Sequence, residues 1–110
     1  MNSTKQKRLK YAGWVVGNTS EFLQLSQEES RFLDLKLSLA GGVRELRERK
    51  GLTQAALADS LGSSQSRVAK MEAADRSVSV DLMMRSLLTI GATTTEIAGW
   101  IKRADTDRAA

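Results

Sequence analysis

The sequence predicts an all-α bundle with a single folded domain. The chain has 110 residues, 41% of them hydrophobic and 27% charged, which suits one soluble domain and is too short for two independent cores. It contains no proline, and only 5% of its residues are aromatic. In its second half, glycines separate short stretches that each begin with a capping hydroxyl. These features favour about five helices.

Residues 1–25 are predicted to form an arm and an extension ahead of the folded domain. Residues 1–10 contain four basic and no acidic side chains, so they carry the whole net charge of +4. They predict a disordered arm that either lies along phosphates or keeps the protein soluble. Residues 11–18 (YAGWVVGN) are expected to form a short extended segment or loop.

The composition excludes most enzyme chemistry. Cysteine and histidine are both absent, so the chain has no disulfide framework, no thiolate nucleophile, no imidazole base and no zinc site of the usual ligand types. Ser63, Ser64 and Ser66 beside Lys70 lack any sign of an oxyanion loop. We therefore expect no catalytic activity, no cofactor and no metal.

The sequence also lacks targeting and membrane signals. Its amino end has no apolar core of a signal peptide, and no apolar run approaches the roughly 18 residues of a membrane span. A cytoplasmic protein without a membrane partner is expected.

The first helix is predicted to start at Ser26. Residues 26–29 (SQEE) have the capping-box spacing of a hydroxyl and a carboxylate. The leucines of residues 33–39 alternate with polar residues, which also fits a half-buried strand. We favour a helix because of the cap and because Phe32, Leu35 and Leu39 fall at helical spacing.

A pair of glycines interrupts this first helical stretch. Gly41 and Gly42 each weaken a helix interior by roughly 1 kcal/mol relative to alanine, which predicts a kink or a break. The stretch then ends at Lys50 and Gly51, a cationic last turn followed by a C-cap glycine. The apolar stripe leading to that end comprises Leu39, Val43 and Leu46.

Three short helices are predicted next, each opened by a hydroxyl N-cap at Thr53, Ser64 or Ser79. Gly62 lies between the first two of these helices, and Gly91 follows the third. Their predicted ranges are 54–61, 65–73 and 80–90.

A second capping box, Thr93 to Glu96, opens a last helix. Its predicted apolar face comprises Ile97, Trp100 and Ile101. The folded domain is expected to span residues 26–103, with a frayed tail over residues 104–110.

Residues 51–72 match the geometry of a helix-turn-helix, two helices of about two turns joined by a short turn with a glycine. Ala58 is small enough for the helices to cross closely, and Gly62 falls where a positive φ is needed. The side chains that close the core between the two helices are predicted to be Leu57, Leu61, Val68 and Met71.

From about residue 39 to residue 90 the chain resembles the Cro/CI-type helix-turn-helix of XRE-family transcriptional regulators. The matching core is LRERKGLTQAALADSLG followed by SSQSRVAKMEA. This resemblance implies a lambda-repressor-like bundle with an N-terminal extension. The segments GWVVGN, EFLQLSQEES and RFLDLKLSLA are similar to the extension of HigA-like antitoxins.

The resemblance also implies roles for particular residues in binding duplex DNA. Gln54, beside the cap residue Thr53, would bind a backbone phosphate and buttress Gln65, while the helix N-termini at Thr53 and Ser64 offer free amides to phosphates. The base-reading side chains would be Gln65, Ser66, Arg67 and Lys70.

Two further features are implied by the same resemblance. Arg47 and Glu72 correspond to a partly buried ion pair that orients the second motif helix. After that helix the family often has Asn-Gly-Lys, whereas this chain has Ala73-Ala74-Asp75-Arg76, which leaves Arg76 as the candidate cation for backbone contacts.

The function expected from the resemblance is that of a DNA-binding repressor, specifically the antitoxin and autorepressor of a type II toxin-antitoxin module. Its partners would be an inverted-repeat operator, a second copy in a homodimer, and a basic RelE/HigB-like toxin. A stand-alone phage or host regulator, or an interaction module that has lost DNA binding, is the alternative. The dimer surface would come from residues 82–101 or from the leading extension.

The remaining large side chains are assigned to packing. Met71, Met83 and Met84 are expected in the core or in an interface. Trp14 and Trp100 are expected to pack, although either could anchor a subunit or partner interface.

Overall fold

The computed structural model describes the backbone of residues 19–109 and the side chains of residues 26–106. Over this range the chain forms five helices and no strand, which confirms the predicted all-α, Cro/CI-type fold. The expectations for residues 1–18, including Trp14, lie outside the described residues. In chain order the helices are α1 (Thr19–Arg49), α2 (Gln54–Leu61), α3 (Gln65–Glu72), α4 (Val80–Ile90) and α5 (Thr94–Ala109).

The chain divides into two units, residues 1–34 and residues 35–110. The described part of the first unit, residues 19–34, is helical throughout. The second unit contains the hydrophobic core. Across the described residues, no helix is both long enough and apolar enough to span a bilayer.

The first helix begins at Thr19, so the predicted start at Ser26 is wrong. Residues 19–25 (TSEFLQL) contain neither glycine nor proline, and they include glutamate, leucine and glutamine, which are good helix formers. The capping-box pattern at Ser26 therefore lies inside a helix rather than at its start. The choice of helix over strand for residues 33–39 is confirmed.

The predicted break at Gly41 and Gly42 is also wrong, because α1 continues through both residues. A Cβ added to Gly42 would lie 2.5 Å from Cδ2 of Trp100, whereas one added to Gly41 would meet no atom within 4 Å. The indole of Trp100 thus packs directly on the bare backbone of α1. Burial of this large ring offsets the weak helix propensity of the glycine beneath it.

All five helices contribute to one core. Leu57, Val68 and Met71 are buried as predicted, and Leu61 packs at the edge of the core. The packing role of the methionines is confirmed for Met71 and Met83, while Met84 is partly buried against the same core. The largest fully buried side chains are Leu46, Leu57, Met71, Met83, Leu87, Val43, Val68 and Val78.

The last helix differs in two ways from its prediction. Ile97 and Trp100 are buried, but Ile101 is 39% exposed, because the buried face is centred on Ile97, Trp100 and Ala104 and Ile101 lies at its edge. The helix also continues to Ala109 instead of fraying from residue 104. Ala104 in this part of the helix is buried, at 4% exposure.

Hydroxyl caps start the helices where the sequence predicts them. Thr53, Ser64 and Ser79 each accept a hydrogen bond from the backbone amide three residues on, at 3.0 to 3.1 Å. The capping box of α5 is complete, because the Thr93 amide donates to Glu96 Oε1 and the Glu96 amide donates to Thr93 Oγ1. α3 ends at Glu72, one residue before its predicted end.

Four of the helices end in the same kind of turn. In each case the amide of one residue donates to the carbonyl five residues before it, which is the Schellman pattern. The residue directly before that donor adopts a left-handed φ, which glycine tolerates best. These residues are Gly51, Gly62, Ala74 and Gly91, with φ of 70°, 63°, 53° and 108°.

Candidate nucleic-acid interface

The second motif helix is oriented by the short turn between α2 and α3. Gly62 ends α2 with φ 63° and ψ 38°, and its neighbour Ser63 donates to the Ala58 carbonyl at 2.8 Å. Ser64 then caps α3 through the Arg67 amide at 3.1 Å. Because both ends of this connection are hydrogen-bonded, the direction in which α3 leaves the turn is fixed.

The two faces of α3 differ sharply in exposure. Val68 and Met71 are 0% and 1% exposed and close the core against α2. The opposite face is open to solvent, so an amide, a hydroxyl and two cations project outward from one short helix. The exposed side chains are Gln65, Ser66, Arg67 and Lys70.

An open cleft of about 270 Å³ runs beside this face of α3. Its polar lining combines two cationic side chains with several hydroxyls, a donor set suited to phosphate oxygens. The turn after α3 supplies two of the lining residues, Ser77 and Val78, which the sequence analysis did not identify. The cleft is lined by Ser64, Ser66, Arg67, Lys70, Ser77 and Val78.

The turn that supplies Ser77 is organised by Asp75. The carboxylate of Asp75 accepts hydrogen bonds from both the hydroxyl and the amide of Ser77. These two bonds hold the pKa of the Asp75 carboxyl below its usual value, with smaller contributions from the charges of Lys70 and Lys36. The Asp-x-Ser spacing is a known turn pattern and is the sequence signal that could have found this residue.

Arg47 and Glu72 form a bidentate ion pair between α1 and the last residue of α3. The two contacts are 2.6 Å from Nε to Oε2 and 3.0 Å from Nη2 to Oε1. The side chains are only 13% and 3% exposed. Hydrogen bonding to Glu72 raises the pKa of the Arg47 guanidinium above its usual value. Arg47 also donates to the Leu52 carbonyl at 2.8 Å, which ties α1 to the start of the motif.

The amide of Gln54 makes a different contact from the one the resemblance implied. Its Nε2 donates to Glu72 Oε1 at 3.3 Å, rather than to Gln65. A carboxylate is a stronger acceptor than a neutral amide, so the bond to Glu72 is favoured. Thr53 beside it caps α2. Glu72 therefore joins α1, α2 and α3 at one buried carboxylate.

The remaining predicted contact residue, Arg76, is exposed and lies in the turn after α3. Ala74 occupies the left-handed position of that turn, where the related pattern has glycine. Within the described residues, no group of three or more histidine, cysteine, aspartate or glutamate side chains is arranged to hold a metal ion.

Comparison with known families gives a match that covers this region. A family model described as helix-turn-helix matches residues 43–96, from the second half of α1 to the first turn of α5. This is a family of DNA-binding regulators rather than of enzymes. Neither the curated proteins nor the solved structures give a match. Residues 43–96 of this chain are therefore similar to a helix-turn-helix domain, a kind of domain found in DNA-binding regulators.

Proposed function

We propose that this protein is a transcriptional repressor that binds a specific sequence of duplex DNA with α3 in the major groove. The observation that carries the proposal is the exposed polar face of α3, opposite Val68 and Met71 in the core, within the matched helix-turn-helix segment. A major groove admits an α-helix, and each base pair there presents a distinct set of donors and acceptors.

The side chains of α3 suit this task chemically. Gln65 carries an amide that pairs with the two groove-facing groups of adenine. Arg67 and Lys70 carry cations that reach guanine or a phosphate. The amides at the starts of α2 and α3, beside Thr53 and Ser64, are suited to bind phosphates on either side of the groove. Arg76 adds a cation from the neighbouring turn.

Selection of binding sites from random duplex DNA tests the proposal. The wild-type chain should select one motif, and Gln65→Ala/Arg67→Ala should lose that selectivity, because two of the four proposed base-reading side chains are removed. Arg85→Ala is a matched control, since it removes one exposed arginine from α4. Equal, unselective binding by all three proteins would indicate an interaction module that has lost DNA recognition.

The operator is proposed to be an inverted repeat bound by a homodimer. One recognition helix contacts only a few base pairs, so two must cooperate, and dimers of this motif place them about 34 Å apart. The selected motif should therefore contain two half-sites one helical turn apart. A single half-site bound by a monomer would contradict this part of the proposal.

A finer proposal is that the protein is an antitoxin that represses its own operon. Support comes from the resemblance of the leading segments to the extension of HigA-like antitoxins, and from the 46% exposure of Phe32 on the leading part of α1. The partner would be a small basic RelE/HigB-like toxin. Expression of the native operon should yield a stable complex with the product of the adjacent reading frame. An operon without such a frame would favour a stand-alone regulator.

A further inference from the structure

Lys36 is a buried lysine on α1, within the unit formed by residues 35–110. It is 3% exposed, whereas its neighbours Leu35 and Leu37 are 38% and 52% exposed. A buried ammonium is costly unless it is hydrogen-bonded, so this position requires a compensating contact. Lys36 shares the inward face of the helix, at spacings of three, four and seven residues, with Leu39, Ala40 and Val43.

A backbone carbonyl in the turn after α3 provides a compensating contact. The Nζ of Lys36 donates to the carbonyl oxygen of Asp75 at 2.8 Å, across 39 positions of sequence. The same oxygen accepts from the Val78 amide at 3.0 Å. Two donors thus converge on one carbonyl, and one of them is anchored in a separate helix.

This turn forms one wall of the cleft beside α3. Ser77 is held by the Asp75 carboxylate, and the Val78 amide is held by the Asp75 carbonyl. Ser77 and Val78 line the same cleft as Arg67 and Lys70. The Asp75 carbonyl, which accepts from Lys36, therefore also anchors the Val78 amide in this wall.

We propose that Lys36 is a positioning residue for DNA binding: its ammonium holds the Asp75 carbonyl and thereby fixes the turn of residues 73–78 against the side of α3 that carries Arg67 and Lys70. The inference rests on the proposed function. Lys36 is enclosed, so it acts through the turn rather than by touching DNA. A DNA backbone crossing this wall meets a preformed surface, which lowers the ordering cost of binding.

The test compares Lys36→Met with Lys50→Met. Both variants lose one positive charge and one lysine bond to a carbonyl, because the Lys50 Nζ donates to Ile90 at the end of α4 at 2.6 Å. Operator affinity is measured at one salt concentration, amide hydrogen exchange is measured residue by residue, and thermal unfolding is followed for each variant.

Lys36→Met should weaken operator binding by about 10-fold or more relative to Lys50→Met, since a hydrogen bond to a charged group corresponds to roughly 10- to 100-fold in an equilibrium constant. Exchange at the Ser77 and Val78 amides should accelerate by a similar factor, while amides of α4 stay unchanged. The melting temperature should not fall, because a buried charge is replaced by an apolar side chain of similar size. A purely structural role would instead lower the melting temperature and accelerate exchange throughout the core.

Equal affinity of the two variants, with unchanged exchange at Ser77 and Val78, would overturn the proposal. If Lys36→Met does not fold, the same quantities are measured on Lys36→Gln, whose amide ends short of the Asp75 carbonyl. In the wild-type chain, the Lys36 ammonium protons should also exchange with water more slowly than those of Lys50. If the wild-type chain itself selects no DNA sequence, the proposed function fails, and the exchange rates alone decide whether Lys36 holds the turn.

Discussion

At the scale of single residues, the carboxylate of Glu72 joins three helices. It accepts from Arg47 of α1 and Gln54 of α2, and the Nε of Arg44 lies 3.7 Å from its Oε1. Because Glu72 is the last residue of α3, this network positions the far end of α3 while Ser64 caps its start. Such a buried ion pair orients α3 at the cost of removing two charges from water.

Replacing Glu72 alone should therefore destabilise the protein strongly. Glu72→Leu leaves the Arg47 guanidinium buried without its carboxylate, so we expect the free energy of unfolding to fall by about 3 to 5 kcal/mol. The double variant Arg47→Met/Glu72→Leu removes both charges and should lose much less. Urea unfolding followed by circular dichroism measures these two variants and the single variant Arg47→Met. A double variant as unstable as the sum of its single variants would show that the two side chains act independently.

The adjacent glycines of α1 should respond to alanine in opposite directions. Gly41→Ala adds a methyl group in open space within a helix, so we expect the free energy of unfolding to rise by about 0.5 to 1 kcal/mol. Gly42→Ala forces the Trp100 ring away from the helix and should cost about 1 to 3 kcal/mol. Thermal unfolding measures both, and tryptophan fluorescence should change only in Gly42→Ala. Equal effects of the two substitutions would contradict the packing of Trp100 on Gly42.

At the scale of elements, hydrogen bonds and ion pairs between side chains connect α5 to α1. The Trp100 Nε1 donates to Glu45 Oε2 at 3.0 Å, and Arg103 donates to the same oxygen. These bonds hold the pKa of the Glu45 carboxyl below its usual value. At the start of α5, the Thr93 amide and then Arg49 lower the pKa of Glu96 in the same way. The ionised carboxylates are thus the forms that the folded state favours.

Stability should consequently decline on acidification. The folded-state pKa of Glu96 lies below its ordinary value of 4.5, so its contribution is complete above pH 4.5 and is lost as the pH falls through the folded-state value. Melting temperatures measured across this range should decrease toward acid. Glu96→Gln should show a shallower decrease, because its side chain no longer takes up a proton on unfolding. An unchanged acid dependence in Glu96→Gln would show that the carboxylate of the capping box does not contribute to the loss of stability at low pH.

At the scale of the whole molecule, the charges are unevenly distributed along the chain. The net charge of +4 equals that of residues 1–10, and the rest of the chain carries equal numbers of basic and acidic groups. The affinity of the folded domain for DNA therefore depends on where its cations lie, not on their sum. The two cations of α3, Arg67 and Lys70, both line the proposed DNA-binding cleft.

Binding of the operator should be strongly salt-dependent. If the proposed homodimer makes about 6 to 10 phosphate contacts, its affinity should fall by roughly 10³- to 10⁵-fold between about 50 and 200 mM salt, because condensed counterions are released on binding. Fluorescence anisotropy on the selected operator measures the slope. A complex whose affinity does not change with salt would contradict a mechanism based on phosphate contacts.

Much of this architecture follows from local signals in the sequence. The hydroxyls at Thr53, Ser64 and Ser79 cap the helices that they predict, and Gly51 and Gly62 end helices in the left-handed conformation. Capping and positive φ depend on a few neighbouring residues, so a linear sequence reveals them. The helical spacing of the polar side chains of α3 likewise predicts from the sequence that they face away from the core.

The sequence by itself thus determined the fold class, the caps and turns, and the division of α3 into a core face and an exposed face. Only the tertiary structure decided that α1 passes unbroken through Gly41 and Gly42, that Gln54 pairs with Glu72, and that Lys36 holds the turn after α3. Each of these depends on a contact between residues far apart in sequence. Helix propensity and residue spacing report the preferences of one local segment. The position of a packed ring or a buried charge depends instead on which distant residues contact it in the folded chain.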